Sequence, residues 1–330
     1  MKNGVLVAGV VLILIVLLSA FYFLKTDIKT DESEANENPA ENQNEQANEE
    51  IVGEENEEGT QEKWTDKGLV IPGTYADSDI VDVGNGNYRI YYSLEPEVAG
   101  FNGQVYSAIS SDGVNWETET GTRKEQATFP SVIKLPDGKY RMYFQNSNVI
   151  KSAVSSDGLV WQDESGTRVD TTNNLGLVFR NVLAPTVMKI GSEYVMVYAG
   201  AIDEKYSAEL VPNSETHVLM WATSQDGLTF EKKGMAVDSR NSVFKGWLDG
   251  PEFIDWEGET RLYFWSYFGI YHVVFSNGDF SDSELDFTTS GDTSQFPSSP
   301  PADPTMMKIN GVWVMYYGGH QTGIYRVVWE

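Results

Sequence analysis

Residues 132–144 read Val132-Ile133-Lys134-Leu135-Pro136-Asp137-Gly138-Lys139-Tyr140-Arg141-Met142-Tyr143-Phe144. Two short β-type runs joined by an Asp-Gly turn are typical of a β-hairpin. The second run of this hairpin occurs four more times along the chain, as Tyr88–Tyr92, Tyr194–Tyr198, Thr260–Phe264 and Trp313–Tyr317. A hairpin that recurs at a period of roughly 50 residues indicates a propeller or a similar array.

A third β-type run follows each hairpin, at Gln104–Ile109, Val149–Val154, His217–Ala222, Gly269–Phe275 and Gly323–Trp329. Three of these runs lead into a Ser-x-Asp-Gly turn and an aromatic residue that begins a fourth strand. We expect the aspartates of these turns, Asp112, Asp157 and Asp226, to be structural, because Asp-Gly supplies the turn geometry. The turn Ser276-Asn277-Gly278 is a degraded copy.

The fifth unit ends at Glu330 after its third strand, so it lacks a fourth. Leu69-Val70-Ile71 precede the first unit and can supply the missing strand, which removes the open edge of a linear array. The sequence therefore predicts an all-β fold, a five-bladed β-propeller over residues 64–330 that is closed by an N-terminal strand.

The N-terminal part of the chain has a different composition. Gly4 to Leu24 is apolar with one polar interruption, Ser19, and about 21 such residues span a bilayer core as a helix. We expect residues 1–25 to be a single-pass membrane anchor that holds the propeller outside the cytoplasm. The alternative is a signal peptide cleaved near Ala20, which gives a secreted protein. Residues 26–63 are predicted to be a disordered acidic linker, since Asp27–Glu62 contains 14 carboxylates and almost no large apolar groups.

Composition limits the partners. The 330 residues carry a formal net charge of −26, which argues against binding to nucleic acid. The chain has no cysteine, so it has no disulfide and no zinc–thiolate site. We find no dinucleotide or phosphate-loop motif and predict no cofactor and no metal. A closed ring of blades offers no sticky edge, so we expect a monomer.

Candidate site residues lie where the inner strands of the blades begin. Long, irregular loops connect the second and third strands of several blades, and the links between blades are also long. We call the face that carries them the site face. The inner strands begin there, and four of them have a proline in register: Pro130, Pro185, Pro251 and Pro304, with Ser78 in the first blade.

Acidic residues flank this register. Asp77 and Asp303 immediately precede it, Asp249 lies one residue earlier in its blade, and Glu252 follows Pro251. Carboxylates that converge on the mouth of the central channel shift each other's pKa, so that one acts as an acid and another as a base. These four are the predicted catalytic residues.

Other residues of the site face are predicted to bind substrate. Tyr75, Phe129, Trp247 and Phe296 are candidate platforms for stacking on a sugar. Arg180 would pair with a substrate carboxylate, or equally with Asp77 or Asp249. His320, in Gly318-Gly319-His320, lies on the same face of the last blade.

Taken together, the Asp/Pro strand starts, the Tyr-Arg-Met-Tyr-Phe strands and the Ser-x-Asp-Gly-x-x-Trp turns resemble those of the five-bladed glycoside hydrolases of the arabinanase, levansucrase and invertase group, families 43 and 32. The resemblance implies that Asp77 is the base or nucleophile, with Asp79 as a shifted alternative. The chain has Phe129-Pro130 where the group has a second-blade Asp, and Leu183-Ala184-Pro185 where it has a third-blade Glu. The nearest acidic equivalent is Asp249-Gly250-Pro251, in the fourth blade.

The resemblance implies a membrane-anchored, extracellular glycoside hydrolase-like protein that acts on a polysaccharide or oligosaccharide by paired-carboxylate hydrolysis. Two alternatives stay open, namely a non-catalytic propeller that binds glycan on the same face and an envelope scaffold that binds other proteins.

Overall fold

The computed structural model describes residues 63–172, 176–204, 206, 216–289 and 300–330. The predicted membrane anchor, and the predicted linker except for Lys63, lie outside these residues. In the described ranges, no helix has the length and apolar content needed to cross a bilayer.

The described chain forms a five-bladed β-propeller of antiparallel sheets, as the sequence predicts. It begins with β1 (Trp64–Pro72). Blade 1 contains β2 (Tyr75–Gly84), β3 (Asn87–Leu94), β4 (Gln104–Ser110), β5 (Glu117–Thr118) and β6 (Lys124–Glu125). Blade 2 contains β7 (Thr128–Lys134), β8 (Tyr140–Asn146), β9 (Val149–Ser155) and β10 (Gln162–Asp163).

The remaining blades repeat this order from the axis outward. Blade 3 contains β11 (Phe179–Ile190), β12 (Glu193–Ile202), β13 (Thr216–Ser224) and β14 (Glu231–Val237). Blade 4 contains β15 (Asp249–Trp256), β16 (Glu259–Ser266), β17 (Gly269–Ser276), β18 (Asp279–Phe280) and β19 (Glu284–Phe287). Blade 5 contains β20 (Ala302–Ile309), β21 (Val312–Gly318) and β22 (Gly323–Trp329), and its outer strand is β1.

The prediction that an N-terminal strand closes the last blade is confirmed. β1 pairs antiparallel with β22 from Trp64 opposite Trp329 to Pro72 opposite Gly323. Beyond the strand ends, the backbones of Lys63 and Glu330 exchange two hydrogen bonds, of 2.7 and 3.0 Å. The Trp64 ring is 5% exposed and makes edge contacts with Trp256 at 5.8 Å and Trp329 at 5.3 Å.

Tyrosine hydroxyls connect three pairs of neighbouring blades. Tyr91 donates to the carbonyl of Gly158 at 2.8 Å, Tyr143 to that of Gly227 at 2.9 Å, and Tyr316 to that of Gly113 at 2.7 Å. The acceptors are the glycines of the Ser-x-Asp-Gly turns, with φ between 70° and 74°. A side chain on Gly158 would place its Cβ 2.6 Å from the Tyr91 hydroxyl, so both φ and close approach require glycine.

The aspartates of these turns have the predicted structural role. Asp112 accepts hydrogen bonds from the backbone N–H groups of Val114 and Asn115, both at 2.8 Å. Asp226 accepts equivalent hydrogen bonds from the backbone N–H groups of Leu228 and Thr229, and these bonds lower its pKa to about 2. The turns therefore hold themselves rigid and present their glycine carbonyls to the neighbouring blade.

A second set of contacts surrounds the axis and uses one polar side chain from each inner strand. We call these five residues the inner ring: Asp79, Ser131, Thr186, Glu252 and Thr305. Four of them accept a hydrogen bond from a backbone N–H group of the next blade. The donor and acceptor pairs are Ile80 to Thr305 (3.1 Å), Val132 to Asp79 (2.9 Å), Val187 to Ser131 (3.3 Å) and Phe253 to Thr186 (3.1 Å). Because every blade contributes one member, the inner ring fixes the blades against each other.

Glu252 has a different position in the inner ring. Its two carboxylate oxygens accept hydrogen bonds from the hydroxyls of Thr305 and Thr186, at 3.1 and 3.2 Å. Burial raises the pKa of Glu252 to about 8. Burial, followed by the charge of Glu252, raises the pKa of Asp79 well above its usual value. Both residues also line a cavity of about 610 Å³ bounded by the turns of the inner hairpins, on the face opposite the site face.

Candidate active site

The five inner strands begin on the site face with the same backbone distortion. The register of each inner strand with its neighbour shifts at this point, and one residue has a positive φ: Asp77 (52°), Phe129 (50°), Ala184 (45°), Gly250 (52°) and Asp303 (48°). Positive φ is uncommon for residues other than glycine, so a shared fivefold occurrence reflects the fold. A bulge of this kind re-aims a side chain, and all five residues line one cavity of about 20 Å³.

Asp77 lies at this bulge in blade 1 and is half-buried. Burial raises its pKa well above the usual value, and the charges of Glu95 and then Asp249 raise it further. Hydrogen bonds from the Ser93 side chain and the Phe129 backbone oppose the rise, because they stabilise the ionised carboxylate.

Asp303 occupies the same position in blade 5 and is 7% exposed. The indole N–H of Trp265 donates a hydrogen bond of 3.0 Å to its Oδ1. A Cβ on Gly250 would lie 2.4 Å from that oxygen, so the glycine allows the carboxyl group to approach blade 4. Burial raises the pKa of Asp303 most, followed by the charges of Asp77, Asp249 and Glu95.

Asp249 is 4% exposed and has two partners within the protein. Its Oδ2 lies 3.2 Å from Nδ1 of His217, and its Oδ1 accepts a hydrogen bond from the backbone N–H of Gly250 at 2.9 Å. Because the charge of Asp249 acts on both Asp77 and Asp303, the structure brings these three predicted carboxylates together. The fourth, Glu252, follows Pro251 and has its carboxylate in the inner ring.

Glu95 belongs to the same group, although the sequence analysis did not single it out. It follows β3 directly, and its backbone N–H donates to the carbonyl of Thr74 at 3.0 Å. The side chain is 11% exposed, and its Oε1 is buried without a hydrogen-bond partner in the described structure. Burial, and then the charge of Glu97, raise the pKa of Glu95 to about 7. The available sequence signal was the pair of acids in Glu95-Pro96-Glu97 at the start of a long site-face loop.

His320 lies beside this glutamate. Its Nδ1 is 4.0 Å from Oε1 of Glu95, and its ring contacts the Trp265 ring edge-on, with 5.6 Å between centroids. The side chain is 41% exposed and the backbone has a φ of 39°. His320 therefore lies beside Glu95 and Trp265.

The predicted aromatic platforms have different environments, and one of them, Phe296, lies outside the described residues. Phe129 lines the 20 Å³ cavity and is half-buried. Tyr75 is half-buried and packs on Tyr92 and Tyr106, with ring centroids 4.8 and 6.1 Å apart. Each retains some exposed surface.

Trp247 differs from the prediction. Only 4% of it is exposed, and its ring stacks on His217 with 4.0 Å between centroids. It packs as a core residue that supports the Asp249–His217 pair, which does not suit a platform for a sugar.

Arg180 forms an ion pair with Asp203, with 2.5 Å between Nη2 and Oδ1. The prediction paired it with a substrate carboxylate, or with Asp77 or Asp249. The two side chains of the observed pair are 43% and 69% exposed, so the pair lies at the solvent-exposed edge of blade 3. No group of three or more His, Asp or Glu side chains is arranged to hold a metal in the part of the chain that the structure describes.

Solved structures similar to this chain include glycoside hydrolases. A thermostable family-43 glycoside hydrolase matches with a TM-score of 0.58 and 14% identity, over 78% of this chain and 89% of that chain. Sucrose-6-phosphate hydrolase from Lactobacillus gasseri matches with a TM-score of 0.58 and 11% identity, over 80% of this chain and 60% of that chain. An endo-1,4-beta-xylanase from Bacteroides thetaiotaomicron matches with a TM-score of 0.57 and 12% identity, over 81% of this chain and 97% of that chain.

This chain shares their five-bladed fold. The resemblance to propeller glycoside hydrolases is thereby confirmed for the architecture. No family model and no curated protein sequence matches the chain. At these identities the similarity establishes the fold alone, so the chemistry has to be argued from the site.

Proposed function

We propose that the protein is a glycoside hydrolase-like propeller that cleaves a polysaccharide or oligosaccharide with carboxyl groups at the site-face end of its axis. The observation that carries this proposal is that Asp77 and Asp303 lie at equivalent bulges and line one cavity, where the charges of Glu95 and Asp249 act on both. The fold adds support, because its structural neighbours are glycoside hydrolases.

Asp77 is the proposed base or nucleophile and Glu95 the proposed acid. Two carboxyl groups that repel each other share a proton over a range of pH, and their surroundings decide which one keeps it. Hydrogen bonds from Ser93 and Phe129 favour the ionised form of Asp77. Glu95 accepts a backbone hydrogen bond from Gln321, but burial and the charge of Glu97 raise its pKa to about 7, so a large fraction of it carries a proton near neutral pH.

These assignments follow the general scheme for glycoside hydrolysis. Glu95 would protonate the glycosidic oxygen, while Asp77 would activate a water molecule or attack the anomeric carbon. The charge of Asp249, which contacts His217, raises the pKa of both Asp77 and Asp303, and Asp303 is held by a hydrogen bond from Trp265.

The proposal includes the predicted location. The apolar segment Gly4–Leu24 and the acidic segment after it support a protein anchored in the membrane, with the propeller outside the cytoplasm. A polysaccharide substrate is consistent with that location.

A second candidate is a non-catalytic glycan-binding propeller. One observation favours it: Asp249 and Asp303 are only 4% and 7% exposed and already have hydrogen-bond partners. In that case Asp77, Glu95, Tyr75 and His320 would contact a glycan without cleaving it.

The test is release of reducing sugar from a panel of plant and bacterial polysaccharides, with glycan binding measured in parallel. We expect Asp77→Asn and Glu95→Gln each to lower release by about 100-fold or more. The matched control is Asp137→Asn, which removes an exposed carboxylate from the opposite face. Binding without release would support the second candidate, and neither binding nor release would refute both.

A further inference from the structure

Three successive rings of residues, with one residue from each blade, line the axis of the propeller. The first ring, at the site face, consists of the five bulge residues and includes Asp77 and Asp303. The second ring consists of the residues that follow them in the sequence, namely Ser78, Pro130, Pro185, Pro251 and Pro304. The third is the inner ring, which contains Asp79 and Glu252. The second ring therefore lies between two layers of carboxyl groups.

Ser78 is the polar member of the second ring. It is 8% exposed, and its hydroxyl is buried without a hydrogen-bond partner in the described structure. The prolines of the other four blades have no polar side-chain atom, so this hydroxyl is a feature of blade 1. A buried hydroxyl without a partner is unfavourable, and a small polar molecule would be stabilised beside it.

The 20 Å³ cavity beside Ser78 contacts both layers of carboxyl groups. Its polar side chains are those of Ser78, Asp77 and Asp303 and, from the inner ring, Glu252. A water molecule needs about 10–15 Å³ of such space and two to four polar partners, so the cavity suits one water molecule. Glu252 also lines the 610 Å³ cavity of the opposite face.

From this geometry we infer that Ser78 holds one water molecule inside the axis, and that this water links Asp77 and Asp303 at the site face to Glu252 in the inner ring. The inference goes beyond the proposed function and does not depend on it. The three carboxyl groups come from blades 1, 4 and 5, so the link joins distant parts of the chain.

For the proposed hydrolysis, the link is a path for protons when a glycan covers the site face. Asp77, acting as the base, takes a proton from the attacking water molecule. Glu252 releases its own proton into the 610 Å³ cavity and takes one from the axial water, which in turn takes the proton from Asp77. Only O–H bonds form and break, and each group returns to its starting state.

The other blades supply the substitution that tests the inference. Ser78→Pro completes the ring of prolines, and it suits the backbone, because Asp77 has a φ of 52° and the residues before the four prolines have φ between 45° and 52°. High-resolution crystal structures of the parent and the variant form the first measurement. We expect a water within about 3.2 Å of the Ser78 hydroxyl and of a carboxyl oxygen of Asp77, Asp303 or Glu252 in the parent, and its loss in Ser78→Pro.

The second measurement is denaturant titration of the full chain at pH 5 and pH 9. A water that donates to ionised Glu252 favours the charged form, so its loss should raise the already high pKa of Glu252. The stability that comes from protonated Glu252 is lost as pH rises through the folded pKa, and a higher folded pKa enlarges that loss. For a rise of one pKa unit, Ser78→Pro should lower the folding equilibrium constant about fivefold more at pH 9 than at pH 5.

Background and control variants assign this effect. It should largely disappear in a Glu252→Gln background, and the remainder would come from the other acids of the two layers, Asp79, Asp77 and Asp303. Ser78→Ala, which removes only the hydroxyl, should show the same trend if proline disturbs folding. The control Ser192→Ala, in an exposed turn of the opposite face, should show none.

The inference is overturned if the parent has no water at Ser78, if the water remains in Ser78→Pro, or if neither Ser78 variant shows the difference between pH 5 and pH 9. Neither measurement uses a glycan. A parent that holds the water and shows the pH difference but releases no sugar therefore supports this inference and contradicts the proposed hydrolysis alone.

Discussion

The hydroxyl of Tyr91 in blade 1 donates a hydrogen bond of 2.8 Å to the carbonyl oxygen of Gly158 in blade 2. Arg89, two residues earlier, donates to the carbonyl of Asp157 at 2.9 Å and forms a two-pronged ion pair with Glu119. One strand of blade 1 therefore binds the turn of blade 2 at two successive carbonyls. Blade 2 repeats the arrangement toward blade 3 with Arg141 and Tyr143.

The first prediction uses this bond. Tyr91→Phe should lower the free energy of unfolding by about 1–2 kcal/mol, because the Gly158 carbonyl loses its buried donor. The matched control is Tyr198→Phe, since the Tyr198 hydroxyl is equally buried but has no hydrogen-bond partner in the described structure. We expect the control to be neutral or slightly stabilising. Urea denaturation of both variants provides the measurement, and equal losses would contradict the prediction.

The second prediction concerns closure of the ring by β1. Trp64→Ala removes a ring that is 5% exposed and that packs on two tryptophans, so it should cost about 3 kcal/mol. Leu69→Ala in the same strand should cost less than about 1 kcal/mol, because Leu69 is 45% exposed. Thermal unfolding compares the two. A similar loss of stability in both variants would mean that the backbone pairing of β1 with β22, rather than the tryptophan contacts, stabilises the closed ring.

The third prediction is a pH dependence of stability that originates in Glu252. Its pKa is about 8 in the folded protein against a usual 4.5, so between these values the folded state holds a proton that the unfolded state has released. This contribution to stability is complete below about pH 4.5 and is lost as pH rises through 8. Glu252→Gln should therefore match the parent near pH 5 and exceed it by about 1–2 kcal/mol near pH 9.

Denaturant titrations at several pH values test this prediction. The control is Glu257→Gln, at an exposed glutamate whose pKa is lowered by hydrogen bonds from Lys308 and Trp313. Its effect should not grow between pH 5 and pH 9. If Glu252→Gln showed the same flat response, ionisation of Glu252 would not limit stability.

The fourth prediction concerns the rate profile of an active preparation. Because Glu95 has a pKa of about 7 and acts as the acid, hydrolysis should decline on the alkaline side around pH 7. Glu95→Gln should lose that limb together with most of the rate. Glu97→Gln should keep most of the rate and move the limb to lower pH, because the charge of Glu97 raises the pKa of Glu95. An unmoved limb in Glu97→Gln would reassign the acid.

The fold was predictable because its information is local and repeated. Each hairpin carries its own turn residues, and a proline marks the site-face part of the inner strand in four of the five blades. One irregularity in the repeat also makes structural sense: blade 3 has Val195 and Val197 where blades 1, 2 and 4 have Arg and Tyr, and the turn of the next blade is the degraded Ser276-Asn277-Gly278. Blade 3 therefore lacks the donor side chains, and blade 4 lacks the turn whose carbonyls would accept their hydrogen bonds.

The site was predictable only in part. Asp77 and Asp303 were found because they belong to the repeated register, and the structure places both at the bulge. Glu95 lies in an irregular loop, and its raised pKa comes first from burial, which the sequence does not show. The sequence indicates only the face of the propeller on which Trp247 and Arg180 lie, whereas the residues that they contact, His217 in β13 and Asp203 just after β12, are distant in sequence.

The paired backbones of Lys63 and Glu330 have a consequence for engineering. The two ends of the propeller are hydrogen-bonded to each other, at 2.7 and 3.0 Å, so a short peptide could join them into a continuous circle. New termini could then be opened at an exposed hairpin turn such as Asp137-Gly138, on the face away from the carboxylates. Such a circular permutant would retain every blade-to-blade contact, and Trp64 would then lie in the interior of the sequence rather than near its start.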